Sequence, residues 1–513
     1  MAVATGVQAE SPFTIRGWDI ERFDPEHVIR RIDDAAAAGM NTISLSHEIV
    51  MNAEEILHDW HRYKHLRRFC QRAHTHDMKA YLWNHQINNP PEELRTTDAD
   101  GIEWLDLDHP TLERWLYDRY QRVVDRVPEL DGIVLSMTES EWQIHRDISE
   151  PYWFGITRRR VRSEKTPAER MAWLINTMHR SLSARGKRLI VRDFLRSPKE
   201  FAAFREALKD VPDDVWVFSK CVPNDFQYRY PPNPLLGNVS PRVQMIELDL
   251  TTELGGALDM HILIPGYIKQ MAQLARDRGV AGFISRTDDG FHTNLGTPSE
   301  FNVFAYSQLL HDPDVDVDAL YEEFFVNMYG DKAAPVAIEV LKETFDLGCA
   351  LAYTLGFWTG IPPATIHYAD SHLINHSTAL WSDDPSYKAI ERLLVDSGPE
   401  AIRRAVEEKQ EAARTAQACL QKLDVAKDSF DPLRFSELRA TFESAHARAQ
   451  IGEHWVRLWL AHRWHRSAGT NESKSTLEEA LDKSRAYVEH AVATNQVSKL
   501  ERFNASIDVD ANR

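Results

Sequence analysis

The stretch FTIRGWDIERFDPEHVIRRIDDAAAAGMNTISLS (13–46) decides the fold. It opens on a β-rich run, FTIRGWD (13–19), and closes on another, TISLS (42–46). Between them Asp24-Pro25, a capping residue followed by proline at the first helical position, starts an amphipathic helix. Strand, helix and strand in this order form a parallel βαβ unit. Outward from it the pattern repeats through KAYLW (79–83), GIVLSMT (132–138), RLIVRD (188–193), VWVFSK (215–220), VQMIEL (243–248) and AGFISRT (281–287). Eight strand candidates are the number that closes a (β/α)8 TIM barrel, an α/β fold. Thr166-Pro167, Ser197-Pro198 and Thr297-Pro298 mark further helix starts, with Glu169, Glu200 and Glu300 placed to complete capping boxes. Between the sixth and seventh strands, YRYPPNPLLGNVSPR (228–242) puts an irregular loop in place of a helix.

After residue 312 the β signal ends and helical periodicity takes over, as in PEAIRRAVEEKQEAARTAQACLQKL (399–423). The expected organisation is an N-terminal tail (1–12), a catalytic barrel (13–311) and an α-helical C-terminal domain (312–513). Trp455 and Trp459, four apart on one helix, read as packing in a helix interface.

A net charge of −18, from 78 acidic and 60 basic residues, argues against a nucleic-acid partner. No stretch reaches the roughly 20 apolar residues of a membrane span, and the opening MAVATGVQAESPF (1–13) lacks the features of a secretory signal. Cys70, Cys221, Cys349 and Cys419 form no CxxC pair and no metal-ligand spacing. A cytoplasmic protein with reduced thiols, no membrane contact, no metal and no cofactor is expected.

In such a barrel the active site lies at the C-terminal ends of the strands. Those ends carry Trp18 and Asp19, His47 and Glu48, Trp83, Asn84 and His85, Glu139 and Glu141, Arg192 and Asp193, Lys220 and Asp225, Glu253, and Arg286 with Asp288. Carboxylates dominate. Glycosidic cleavage needs one carboxylic acid for the leaving oxygen and one carboxylate to activate water or attack the anomeric carbon. Tryptophans offer flat faces to a sugar ring, while Asn, Arg and Lys bond its hydroxyls. For each acid taken singly, a salt bridge or a loop cap is the competing reading.

The stretches KCVPNDFQYRYPPNPLLGNVSPRVQMIELDLTTELGG (220–256) and GVAGFISRTDDGFHTNLGTPSEFNVFAYSQLLHDPDVDVDALYEEFF (279–325) resemble the family 67 α-glucuronidases. In that family a lysine, a short turn, Asp-Phe-Gln, a Pro-rich loop, a Met-rich strand and then a threonine with a nearby glutamate carry the catalytic base pair. The resemblance extends more weakly over roughly residues 14–360, through Trp18-Asp19, FCQRAHTHDMKAYLWNHQINNP (69–90), DGIVLSMTESE (131–141) and IVRDF (190–194). It implies an exo-acting, inverting hydrolase that removes a terminal α-linked uronic acid from an acidic oligosaccharide, with Asp225 and Glu253 on the base side. Glu247 is a less favoured substitute. The acid is Glu139 or Glu141, each one residue out of step with the family's Ser-Glu pair; Glu139 is preferred because it lies nearer the strand end. Arg192 and Lys220 match cations that face the substrate's carboxylate, with pairing to Asp193 or Asp225 as the alternative. Trp18, Asp19, Trp83, Asn84 and Arg286 complete the expected substrate contacts. The resemblance also implies a homodimer through the C-terminal helices.

Two departures stand out. Ser136, Met137 and Thr138 replace the family's lysine before the fourth-strand glutamate, and the chain opens almost directly on the first barrel strand, without the family's N-terminal β domain. ITRRRVRSEK (156–165) brings five basic residues to the catalytic side, read as a solvated loop paired with local acids or as a steering patch for an anion. The competing function is a metal-dependent sugar isomerase or epimerase, with His47, Glu48, Glu139, Asp193 and Asp225 as ligands.

Overall fold

The computed structural model describes residues 11–137, 139–146, 159–253, 260–288, 294–360, 365–491 and 495–511. Thr138, residues 156–158 of the basic loop, and residues 254–256 and 289–293 of the family-like stretches lie outside the described residues.

Eight strands form a closed barrel: β1 (Ile15–Ile20), β2 (Thr42–Leu45), β3 (Lys79–His85), β4 (Gly132–Ser136), β5 (Arg188–Arg192), β6 (Trp216–Lys220), β7 (Gln244–Glu247) and β8 (Gly282–Arg286). All pair in parallel in chain order, and β1 closes on β8 with Ile15 beside Gly282. Glycine is required at that seam: φ is +155° and a Cβ at Gly282 would stand 1.7 Å from the Ile15 carbonyl oxygen. Side chains alternate along each strand, so residues two apart share the interior. Ile15, Trp83, Val134, Ile190, Phe218 and Ile284 pack there as one buried cluster. The intervening residues face the helices.

Among the described residues seven helices cover the barrel: α1 (Pro25–Ala37), α2 (Trp60–His74), α3 (Pro110–Arg126), α4 (Pro167–Ser183), α5 (Pro198–Ala207), α6 (Pro265–Asp277) and α7 (Glu300–His311). The segment between β6 and β7 is irregular, as its prolines require. Asp24 caps α1, and Thr166 with Glu169 forms a full capping box on α4. Ser197 caps α5, but the Glu200 carboxylate turns to the Arg196 N–H (2.7 Å) and to Arg146 (3.0 Å) instead of closing a box. The Thr297-Pro298 start is corrected: α7 begins at Glu300 with Ser299 at its N-cap, because the Glu300 N–H bonds back to the Thr297 carbonyl in a preceding turn.

A small sheet of Arg95–Thr97, Glu103–Asp106 and Arg159–Arg162 stands beside the barrel. Its last strand is part of the basic loop. Arg159 binds Glu103 (2.8 Å) and Glu141 (2.5 Å), and Lys165 binds Asp108, so these cations meet local acids.

Among the described residues from Val317 onward the regular elements are helices and one two-stranded hairpin, Tyr353–Thr354 with Phe357–Trp358. Helices Pro399–Val425 and Pro432–Ala468 are the longest. Trp455 and Trp459 are fully buried and stacked, centroids 5.2 Å apart, which is interface packing. Helix Ile366–Asn375 leads back to the barrel, where the Tyr230 hydroxyl donates to the His376 carbonyl. Among the described residues no helix is long and apolar enough to cross a membrane.

Candidate active site

Alternation along the strands decides which strand-end residues meet. The inward positions at the C-terminal end are Asp19, Ser44, Trp83 with His85, Ser136, Arg192, Lys220, Glu247 and Arg286, one set from every strand, and all are buried. Arg192 spans the mouth to Glu247 as a two-pronged pair, Nε to Oε2 2.6 Å and Nη2 to Oε1 2.9 Å, and gives Nη1 to the Ser136 hydroxyl at 3.1 Å. Its guanidinium lies 4.7 Å from the Trp83 ring centroid, so Trp83 forms part of the site floor. The Lys220 ammonium binds Asp225 and rests on Phe226 at 3.5 Å and Phe194 at 4.0 Å. Arg286 joins Glu21 (Nε to Oε1 2.6 Å, Nη2 to Oε2 3.1 Å) to Glu253 (Nη1 to Oε2 2.8 Å).

The loops that follow the strands carry the remaining groups on unusual backbone. His47, Glu139, Asn224 and Thr252 have φ of +49°, +66°, +73° and +63°. Each costs on the order of 1–3 kcal/mol in a residue with a side chain, most in a β-branched one. Glu139 is itself a candidate, and Asn224 and Thr252 immediately precede Asp225 and Glu253. Strain of this kind persists where the surroundings fix it, and here it presents three carboxylates at one mouth.

Electrostatics separate these acids. Burial works to raise the Glu139 carboxyl, but His85 at 3.7 Å, with Arg192 and Lys220 beyond, holds it well below the ordinary glutamate value. His85 also points Nδ1 at the Met51 carbonyl (3.1 Å) and stands with Nε2 3.3 Å from the Trp83 indole nitrogen. Burial raises the Glu253 carboxyl; Arg286 opposes this and Asp225 and Asp249 reinforce it. Burial likewise lifts Asp19 and Asp193 to about 7.

Several expected contacts fall elsewhere. Trp18 points out of the barrel, fully buried beneath Arg31, whose guanidinium is 4.5 Å from its ring. Asn84 also points outward, bonding the Tyr120 hydroxyl (2.9 Å) and the Ala53 N–H (3.1 Å). Period-two alternation sends both to the helix layer while Asp19, Trp83 and His85 face in. Asp19 is inward, but it is buried and takes the Ser46 hydroxyl at 2.8 Å. Glu141 binds Arg159 and accepts the Asn89 N–H at 3.2 Å. Arg192 pairs with Glu247 rather than Asp193, which instead receives the Lys220 N–H and the Asn233 amide.

Two residues escaped the sequence reading. Glu21 lies two beyond Asp19, on the same inward face, and its spacing could have revealed it. Arg196, buried in the loop after β5, is close enough to Asp225 and Glu139 for their charges to act on it; burial lowers it to about 10.

The five ligands of the isomerase reading do not gather: Glu48 is exposed and receives the Phe23 N–H, and Asp193 faces outward. Among the described residues Asp19, Glu21 and His47 are the group with donor atoms within 4.8 Å of one another. Both Glu21 oxygens already bind Arg286, and one also meets His47 Nδ1 at 3.1 Å, so a cation there would compete with a guanidinium.

Residues 26–281 match the glycosyl hydrolase family 67 middle domain. No curated protein matches the sequence. Among solved structures, a GH138 enzyme targeting pectin rhamnogalacturonan II superposes over 94% of this chain with a TM-score of 0.63 at 10% identity; the chain spans 62% of that enzyme's length. An O-GlcNAc hydrolase of Thermobaculum terrenum aligns over 98% of this chain and 97% of its own, with a TM-score of 0.49 at 11% identity. Through its residues 26–281 the chain belongs to the family of the glycosyl hydrolase family 67 middle domain.

Proposed function

We propose that the enzyme is exo-acting and inverting, and that it removes a terminal α-linked uronic acid from an oligosaccharide. The observation that supports this most is the convergence of Glu139, Asp225 and Glu253 at one mouth, each on or next to a left-handed residue. In this reading Glu139 protonates the glycosidic oxygen. Glu253 takes a proton from the water that attacks the anomeric carbon on the opposite face, and Asp225, steadied by Lys220, orients that water. Inversion needs room for the water, so acid and base stand roughly 6.5–9.5 Å apart in such enzymes.

An anionic sugar favours this assignment physically. Its carboxylate, seated near Lys220 and Arg192, offsets the cations that hold Glu139 ionised, so the substrate itself helps protonate the acid. Arg196 supplies cationic character where the fourth-strand lysine is lacking. The shared fold of the GH138 enzyme carries no substrate with it. The same reading has the enzyme in the cytoplasm, with its four buried cysteines reduced, as a dimer through the C-terminal helices and organised as barrel (13–311) and helical domain (312–513).

The test is Lys220→Met assayed on aryl α-glycosides of glucuronate, galacturonate and their neutral counterparts. A lost charge-assisted hydrogen bond is worth about 1.5–3 kcal/mol, so KM for the acidic sugar should rise about 10- to 100-fold while that for the neutral one changes little. An equal rise in KM on both would remove uronic acids from the substrate.

A further inference from the structure

We propose that Glu21, held beneath Arg286, is a positioning residue for Glu253: its carboxylate aims and neutralises the guanidinium on which Glu253 rests. The inference rests on the reading of Glu253 as the base. Glu21 is 2% exposed. Both its oxygens go to Arg286, through Nε at 2.6 Å and Nη2 at 3.1 Å, leaving Nη1 to reach Glu253 Oε2 at 2.8 Å. The fork is fixed from below. The Glu21 N–H donates to Asp288 Oδ1 (2.9 Å), Asp288 is held by His27 (2.5 Å), and His47 Nδ1 lies 3.1 Å from Glu21 Oε1.

The arrangement solves a conflict. A bare guanidinium against Glu253 would depress the carboxyl and make it a poor proton acceptor. With Glu21 bound behind it, the arginine still orients Glu253 while the Glu21 carboxylate offsets its charge. Among the described residues the charged or titratable groups that act on Glu253 are Arg286 from β8, Asp225 from the loop after β6, Asp249 from the loop after β7 and Tyr368 from helix Ile366–Asn375. Those around Glu21 are Arg286, Asp19, Asp288 and His47.

A base must lose its proton to act, so kcat/KM falls as pH drops through the Glu253 value. Glu21→Gln removes the masking charge and exposes the full guanidinium. The acid limb of kcat/KM should then move down, by up to about one pH unit for one charge partly screened by solvent, and the plateau should fall because a weaker base is left. Glu21→Asp keeps the charge and should leave the limb at the wild-type position.

Should Glu21→Gln fold poorly, the cycle is completed by Arg286→Gln and the double variant, which replaces an ion pair by two amides. Arg286→Gln alone should move the limb up, and the double variant should bring it back toward wild type. A limb unmoved by Glu21→Gln, or a double variant that matches Arg286→Gln, overturns the inference. Glu253→Gln tests the base assignment separately: a normal rate in that variant rejects the assignment itself, whatever Glu21 does.

Discussion

Glu139 and Glu141 stand two residues apart and meet opposite surroundings. Glu139 sits at φ +66°, about a third exposed, beside His85. Glu141 is bound to Arg159 of the small sheet. Glu139→Gln should therefore lower kcat on substrates with poor leaving groups by about 10²- to 10⁴-fold, as for loss of a general acid, while partly sparing activated aryl glycosides. Glu141→Gln should cost far less. Steady-state rates on a leaving-group series check this, and the reverse ranking would make Glu141 the acid. At this scale the sequence was only half legible. Adjacent strand-end residues such as Trp18 and Asp19, or Asn84 and His85, look equally polar or aromatic in a linear reading. Period-two alternation assigns one of each pair to the barrel mouth and the other to the helix layer, and Glu21 follows from the same rule.

The elements were legible wherever the local signals agreed. All eight strands overlap the runs marked by β-rich composition, with β1 and β3 running past them to Ile20 and His85, and Asp24, Thr166 and Ser197 cap the helices named for them. The small sheet was not legible, because Arg95–Thr97 and Arg159–Arg162 are short and charged and form strands only by pairing with Glu103–Asp106. Long-range partners also fixed the fate of Arg192, which Glu247 claims from two strands away. That pair ties β5 to β7 with both members almost fully buried. Arg192→Met alone strands a buried carboxylate and should destabilise the fold by about 3–5 kcal/mol. Arg192→Met with Glu247→Leu should recover most of that stability and none of the activity. Urea unfolding alongside rate measurements checks both, and a single variant as stable as wild type would show that the pair is not a structural tie.

At the scale of the whole molecule the helical region does more than follow the barrel. Helix Ile366–Asn375 brings Tyr368 near enough to Asp225 and Glu253 for their charges to act on it, and Tyr230 fastens the end of that helix to the β6–β7 loop. The mouth is thus walled by both parts of the chain. Arg192, Arg196, Lys220 and Arg286 are buried inside the mouth of a chain whose net charge is −18, and Arg192, Lys220 and Arg286 pair there with carboxylates. The sequence gives that charge balance, but only the fold shows where the cations lie. The measurement that tests the account most directly is proton NMR of the sugar first released from an aryl α-uronoside. Water activated by Glu253 and attacking opposite the bond that Glu139 protonates must release the β-anomer, with the α-anomer growing in later by mutarotation. The α-anomer as first product would contradict the account, because it requires a covalent intermediate and a carboxylate acting as nucleophile.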